Sequence, residues 1–271
     1  MAGRQTRRDG VTIAYDVRGD GPPVLLVQGA GVPGTGWLPQ VDGLADRYEM
    51  AWFDNRGIGG TELPPGKLTI EALAADGLAV MDALGWTSAH VVGHSMGGLI
   101  AQAIAIAAPD RVRSLALLCT FRTGAQGASL GWWMFWKALR MRVGPRRARR
   151  RAALELVFDP RHLATIDDLD AYGESLQGIY GRDLADQPEH VMKHVGAMRA
   201  YDPSPRQAGL SDIATLVLSG ETDRIATPEY GRDLHEAIAG SRFCTLDGAH
   251  AVTITRADEV NEMLDAHWSS V

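Results

Sequence analysis

Apolar residues in this chain fall into short runs separated by glycine, proline and polar clusters. Between the runs lie longer stretches in which apolar positions recur three and four apart. The short runs at about 24–28, 48–53, 89–94, 112–119, 214–219 and 241–246 predict strands. The stretches 70–84, 96–108, 228–239 and 256–267 predict helices. Asp9-Gly10 is a hairpin signal that joins an opening strand to Val11-Thr12-Ile13-Ala14-Tyr15. Each strand–helix alternation is a βαβ unit. The chain is therefore expected to be α/β, with eight strands in a mostly parallel sheet and helices on both faces.

That rhythm stops between about 121 and 206. The segment is helical in pattern and broken at Gly144-Pro145, Asp159-Pro160 and Tyr201-Asp202-Pro203-Ser204-Pro205. The expected organisation is a core from 1–120 and 207–271, with an inserted helical segment at 121–206. The length of 271 residues, 45% of them hydrophobic, suits one large core with an insertion.

Candidate chemistry begins at Gly93-His94-Ser95-Met96-Gly97. This G-x-S-x-G sequence lies between the apolar run Ala89-His90-Val91-Val92 and the helical stretch from Gly98. Strand, sharp turn and helix form the setting in which the motif carries a nucleophile. The turn leaves no room for side chains at its ends, so Gly93 and Gly97 are required there. The N–H of Met96 would open a helix, where it favours developing negative charge. A serine hydroxyl needs a base, and the base an orienting acid. Glu221-Thr222-Asp223 follows the run ending at Gly220, and Ala249-His250 follows the run ending at Gly248. Both lie past the carboxyl ends of expected strands, the edge where parallel sheets gather their sites.

With these residues in place, the chain resembles the α/β-hydrolase superfamily over nearly its whole length. The resemblance implies Ser95 as nucleophile, Asp223 as acid and His250 as base, with Glu221 as the rival acid. It implies backbone oxyanion donors at Met96 and at Ala30, in the loop Gln28-Gly29-Ala30-Gly31 after the strand Val24-Leu25-Leu26-Val27. The family usually carries His-Gly there, and Gln28 departs from it. Asp54-Asn55-Arg56-Gly57-Ile58-Gly59 matches the family's D-x-R-G-x-G loop, in which Arg56 reads as a scaffold residue. His94 reads as a packing residue. The inserted segment resembles the family's helical cap over Ser95.

Two features of that segment stand out. Leu130-Gly131-Trp132-Trp133-Met134-Phe135-Trp136 holds three of the seven tryptophans, and Trp132, Trp133, Phe135 and Trp136 are expected to wall the substrate pocket. Residues 137–151 then carry eight Lys or Arg and no acid, which reads as a solvated face paired with acidic surface. The net charge of −6 and the lack of any recognised module argue against nucleic acid. No apolar stretch reaches membrane-spanning length, and no secretory signal is evident. Cys119 and Cys244 fall on different expected strands, too far apart to bond, so two buried free thiols are expected.

The expected protein is a cytoplasmic, cofactor-free serine hydrolase with no metal, acting on a small-molecule ester or lactone. Its oligomeric state is open. Alternatives on the same site are a perhydrolase of haloperoxidase type, a C–C bond hydrolase, a secondary-metabolite methylesterase, and a non-turnover binding or receptor protein.

Overall fold

Eight strands of the described residues form one sheet: β1 (Arg4–Arg8), β2 (Val11–Arg18), β3 (Pro23–Val27), β4 (Glu49–Phe53), β5 (Ala89–His94), β6 (Val112–Leu118), β7 (Ala214–Gly220) and β8 (Arg242–Leu246). Their spatial order is β1-β2-β4-β3-β5-β6-β7-β8. β1 and β2, and β2 and β4, pair antiparallel; the other neighbours pair parallel. The β1–β2 hairpin turns at Asp9 and Gly10, both at positive φ. The chain is known here through a computed structural model that describes residues 3–128, 132–188 and 190–271; Leu130 and Gly131 of the aromatic segment lie outside them.

The central strands are apolar throughout because both faces are covered. Leu25 and Val27 of β3 join one core layer, and Val24 and Leu26 the other. The helices of the first half are α1 (Leu38–Leu44), α2 (Ile70–Ala83) and α3 (Met96–Ala107). Thr69 caps α2 by accepting from the Ala72 N–H at 3.1 Å. The helices α4 (Gly124–Gly127), α5 (Trp132–Arg140), α6 (Arg146–Val157), α7 (Pro160–Leu163), α8 (Leu169–Ser175), α9 (Gln177–Tyr180) and α10 (Val191–Arg199) lie between β6 and β7. After β7 come α11 (Pro228–Ala237), α12 (Val252–Thr255) and α13 (Ala257–Trp268).

The inserted helices form a cap with its own small core of Leu154, Phe158, Leu163, Leu176, Tyr180 and Leu184. Prolines set its breaks: Pro145 precedes α6 and Pro160 opens α7. Much of the basic run is paired inside this cap. Arg146 contacts Asp183 and Asp186, and the buried Arg150 contacts Asp170, Glu174 and Asp183. Both cysteines are free thiols, Cys119 just past β6 and Cys244 on β8, with β7 between the two strands. Cys244 is half-buried rather than buried, because β8 is the edge strand. No helix among the described residues is long and apolar enough to cross a membrane.

Candidate functional site

Ser95 sits between β5 and α3 at φ 56°, ψ −123°. A non-glycine residue holds that conformation only when its surroundings impose it. The imposing contacts are backbone. A Cβ on Gly93 would stand 2.2 Å from the Gly97 oxygen, and one on Gly97 would stand 2.0 Å from the Val27 oxygen. Neither position accepts any other residue. The turn is pinned further by the Ser95 N–H donating to Leu118 O (3.0 Å) and the Thr120 hydroxyl donating to Ser95 O (2.6 Å). Met96 supplies the first N–H of α3, which a helix leaves without an internal partner.

Asp223 and His250 come from the loops after β7 and β8. The His250 Nδ1–H donates to Asp223 Oδ2 at 2.7 Å, and both residues are buried. The other carboxylate oxygen, Oδ1, accepts the N–H groups of Ile225 (2.8 Å) and Ala226 (3.0 Å). The acid is thus fixed at both oxygens, and His250 keeps Nε2 free as an acceptor. The rival, Glu221, is exposed and accepts instead from the Thr245 hydroxyl. Ser95 and His250 line one cavity but are not hydrogen-bonded to each other.

The loop after β3 closes the site from the other side. The Gly29 N–H donates to Gln28 Oε1 at 2.8 Å, and the Gly31 N–H to His194 Nδ1 at 3.3 Å. Between them, Ala30 N–H has no partner among the described residues and is free for a ligand. Gln28 therefore does more than replace a histidine: its carboxamide folds back onto the loop and abuts His94 Nδ1 at 3.2 Å. His94 is more than a packing residue as well. Its Nε2–H donates to the His250 carbonyl at 2.9 Å, and burial pushes its pKa down to about 3, so it stays neutral. Arg56 makes a bidentate pair with Asp76 (2.6 and 2.7 Å), away from the cavity, which is a scaffold contact.

The cavity has a volume of about 230 Å³ and an apolar lining that includes Phe121, Met134, Val157, Ile179, Tyr180 and Met198. No Lys, Arg, Asp or Glu among the described residues lines it. The four aromatics expected there are elsewhere, which corrects the sequence reading. Trp132, Phe135 and Trp136 are exposed, with Trp132 stacked on Phe135 and Trp136 edge-on to both, while Trp133 lies under the Arg224 guanidinium at 4.2 Å. The cause is helical geometry. Residues 132, 135 and 136 share one face of α5, and Met134, from the opposite face, enters the cavity. Density of aromatics in sequence said nothing about which side they take.

Donor atoms of His94, Cys119 and His250 lie within 4.8 Å of one another. They do not fit a metal site. The His94 Nε2–H and the His250 Nδ1–H are each committed to an oxygen, and burial raises the Cys119 pKa well above its usual value, which keeps it a thiol. Sequence reasoning missed His194 altogether. It stands on α10, remote in sequence from the loop it holds, and only its place in an otherwise apolar helix face hinted at a buried role.

The chain belongs to the family with the alpha/beta hydrolase fold, whose model matches residues 22–257. It is 30% identical over 251 residues, 92% of each chain, to a protein of Azorhizobium caulinodans provisionally named carbamate hydrolase RutD. Among solved structures, the enol-lactonase from Burkholderia xenovorans LB400 superposes with a TM-score of 0.81, at 30% identity, covering 98% of this chain and 100% of its own. A Mycobacterium tuberculosis H37Rv protein, provisionally named non-heme bromoperoxidase BpoC, superposes with a TM-score of 0.78, at 27% identity, covering 95% and 96%. One fold thus carries several named activities, and the chemistry has to be argued from the site.

Proposed function

We propose that this chain is a cofactor-free serine hydrolase that cleaves carboxylic esters or lactones through an acyl-enzyme. The observation that carries the reading is the 2.7 Å Asp223–His250 pair, which faces the same apolar cavity as the strained Ser95. Ser95 Oγ attacks the carbonyl carbon while His250 Nε2 takes its proton. Asp223 holds the Nδ1–H tautomer and offsets the imidazolium charge. The N–H groups of Ala30 and Met96 stabilise the oxyanion. His250 returns the proton to the leaving alcohol, and water hydrolyses the acyl-enzyme by the same steps. In a lactone the leaving alcohol stays tethered to the acyl group.

The cap of residues 121–206 roofs this cavity, and residues 1–120 and 207–271 form the catalytic core. A lining without charged side chains favours substrates that are uncharged around the scissile bond. The enol-lactonase likeness supports a lactone among them. Ser95→Ala should lower hydrolysis of p-nitrophenyl esters by roughly 10³-fold or more, because it removes the nucleophile and leaves the turn intact. A fluorophosphonate should label the wild type at Ser95 alone. An active alanine variant, or label elsewhere, overturns the mechanism; peroxide-dependent bromination without ester hydrolysis replaces it by the perhydrolase reading.

A further inference from the structure

Helix α5 buries none of its residues, yet it is strongly amphipathic. Its outer face carries Trp132, Phe135, Trp136 and Leu139, which are 73, 51, 49 and 41% exposed. Val143, 65% exposed, continues this face, because its N–H still donates to Leu139 O (3.1 Å) in the helical manner. The spacing 132, 135, 136, 139, 143 is one stripe of a helix. Single exposed apolar residues are ordinary, but a contiguous stripe with three aromatic rings in mutual contact is not.

The charges around the stripe are also arranged. At 100° per residue, Arg140 and Arg142 fall on its two opposite edges. Both are exposed, and neither has an ion-pair partner among the described residues. Residues 111–154 contain no Asp or Glu. On the inner face, Met134 lines the cavity and Lys137 pairs with Glu155 at 2.5 Å, so this face is already committed.

We propose that α5 is an interfacial helix with which the protein docks onto an anionic lipid surface. Trp and Phe favour the boundary between headgroups and acyl chains, and cations along the edges of an apolar stripe meet anionic headgroups. A second copy of the chain fits less well. A two-fold contact through this stripe encloses Arg140 and Arg142 of both copies at its edges with no acid on α5 to offset them. Docking sets the cavity one helix thickness from the bilayer, since Met134 and the stripe are opposite faces of the same helix. The proposal does not depend on which reaction Ser95 performs.

The test is co-sedimentation of the full-length protein with vesicles at low ionic strength. Vesicles of phosphatidylcholine alone are compared with mixtures containing phosphatidylglycerol. Wild type should partition at least roughly tenfold more strongly into the anionic vesicles, and added salt should weaken it. The variant Trp132→Ser/Phe135→Ser/Trp136→Ser should lose roughly tenfold or more of that partitioning. Arg140→Glu/Arg142→Glu should remove the preference for anionic lipid while leaving the aromatic stripe intact. Thermal unfolding should be unchanged in both variants, because the side chains are exposed. Equal partitioning of wild type and the aromatic variant, or no partitioning by either, overturns the proposal. So does light scattering that finds a wild-type dimer and a monomeric aromatic variant, for then the stripe is covered by a second copy.

Discussion

The carboxyl edge of the sheet and the cap above it contribute to the same cavity by opposite means. At the sheet edge, backbone decides position. Ser95 is held at φ 56° by glycines that leave 2.0–2.2 Å where a Cβ would go, and Asp223 is fixed by two N–H groups of its own loop. In the cap, side chains decide. Its helices are short, α5 buries nothing, and α6 is tied down through Arg150 and its carboxylates. The edge has one arrangement available to it. The residues that the cap turns to the cavity, such as Met134, Ile179, Tyr180 and Met198, are held by side-chain packing. On the function proposed above, chemistry belongs to the first region and substrate choice to the second.

The sharpest way to break this division is at the acid. Asp223→Asn should cut kcat by roughly 10³- to 10⁴-fold, because an amide holds the imidazole in the wrong tautomer. Glu221→Gln, two residues away, should have little effect, since its side chain faces solvent and Thr245. Steady-state kinetics on a soluble ester checks both. The reversed result would move the acid to Glu221.

One residue crosses the division. His194 belongs to cap helix α10, yet its Nδ1 accepts the Gly31 N–H and its Nε2–H donates to Arg56 O at 2.9 Å. It holds the loop that presents Ala30. His194→Ala should lower kcat roughly 10- to 100-fold with little change in KM, the cost of a misplaced oxyanion donor. His194→Asn, whose oxygen takes the place of Nδ1, should recover more of kcat than His194→Gln, whose amide takes the place of Nε2. Equal activity of the two, with equal losses of thermal stability, would mean that His194 only fastens the cap.

The same contrast explains what was legible in the sequence. The sheet could be read, and so could the places of Ser95, Asp223 and His250 at its carboxyl edge, because each follows a short apolar run and lies close to a glycine. Local rules of that kind act within about five residues. The cap's helices could be read too, but not their orientation. Trp132, Phe135 and Trp136 looked like pocket walls and lie outside, because the direction of α5 is set by Met134, Lys137 and their distant partners. Gln28 and His94 were visible as residues but not as a pair, since they meet only across two strands.

Acid pH separates the regions again, with a smaller effect. Arg161 holds Asp159, and Arg150 holds Asp183, well below the usual carboxylate range. A depressed carboxylate stabilises the fold above its unfolded value of about 4, and that contribution disappears as pH falls through the folded value. Both groups belong to the cap or its seam with the core. Thermal unfolding followed from pH 7 to strongly acid pH should therefore lose stability below about pH 4, and Asp183→Asn should flatten that limb while lowering stability at neutral pH. An unchanged limb in this variant would place the acid sensitivity elsewhere.

The smallest effect sharpens the comparison most. If the cap chooses the substrate through Met134, Ile179, Tyr180 and Met198, then acyl chain length is read by apolar contact alone. Across a series of p-nitrophenyl esters, kcat/KM should rise about fourfold per methylene, the equivalent of about 0.8 kcal/mol of buried CH₂. The rise should stop at medium length, because a cavity of about 230 Å³ fills early. Met134→Ala should move that stopping point to longer chains, since it hollows the cap side without touching Ser95. Trp132→Ala, one turn-face away and 73% exposed, should leave the profile where it was. If instead Trp132→Ala shifts the profile and Met134→Ala does not, the outer stripe of α5 turns inward when substrate binds, and the cap is mobile where the sheet edge is fixed.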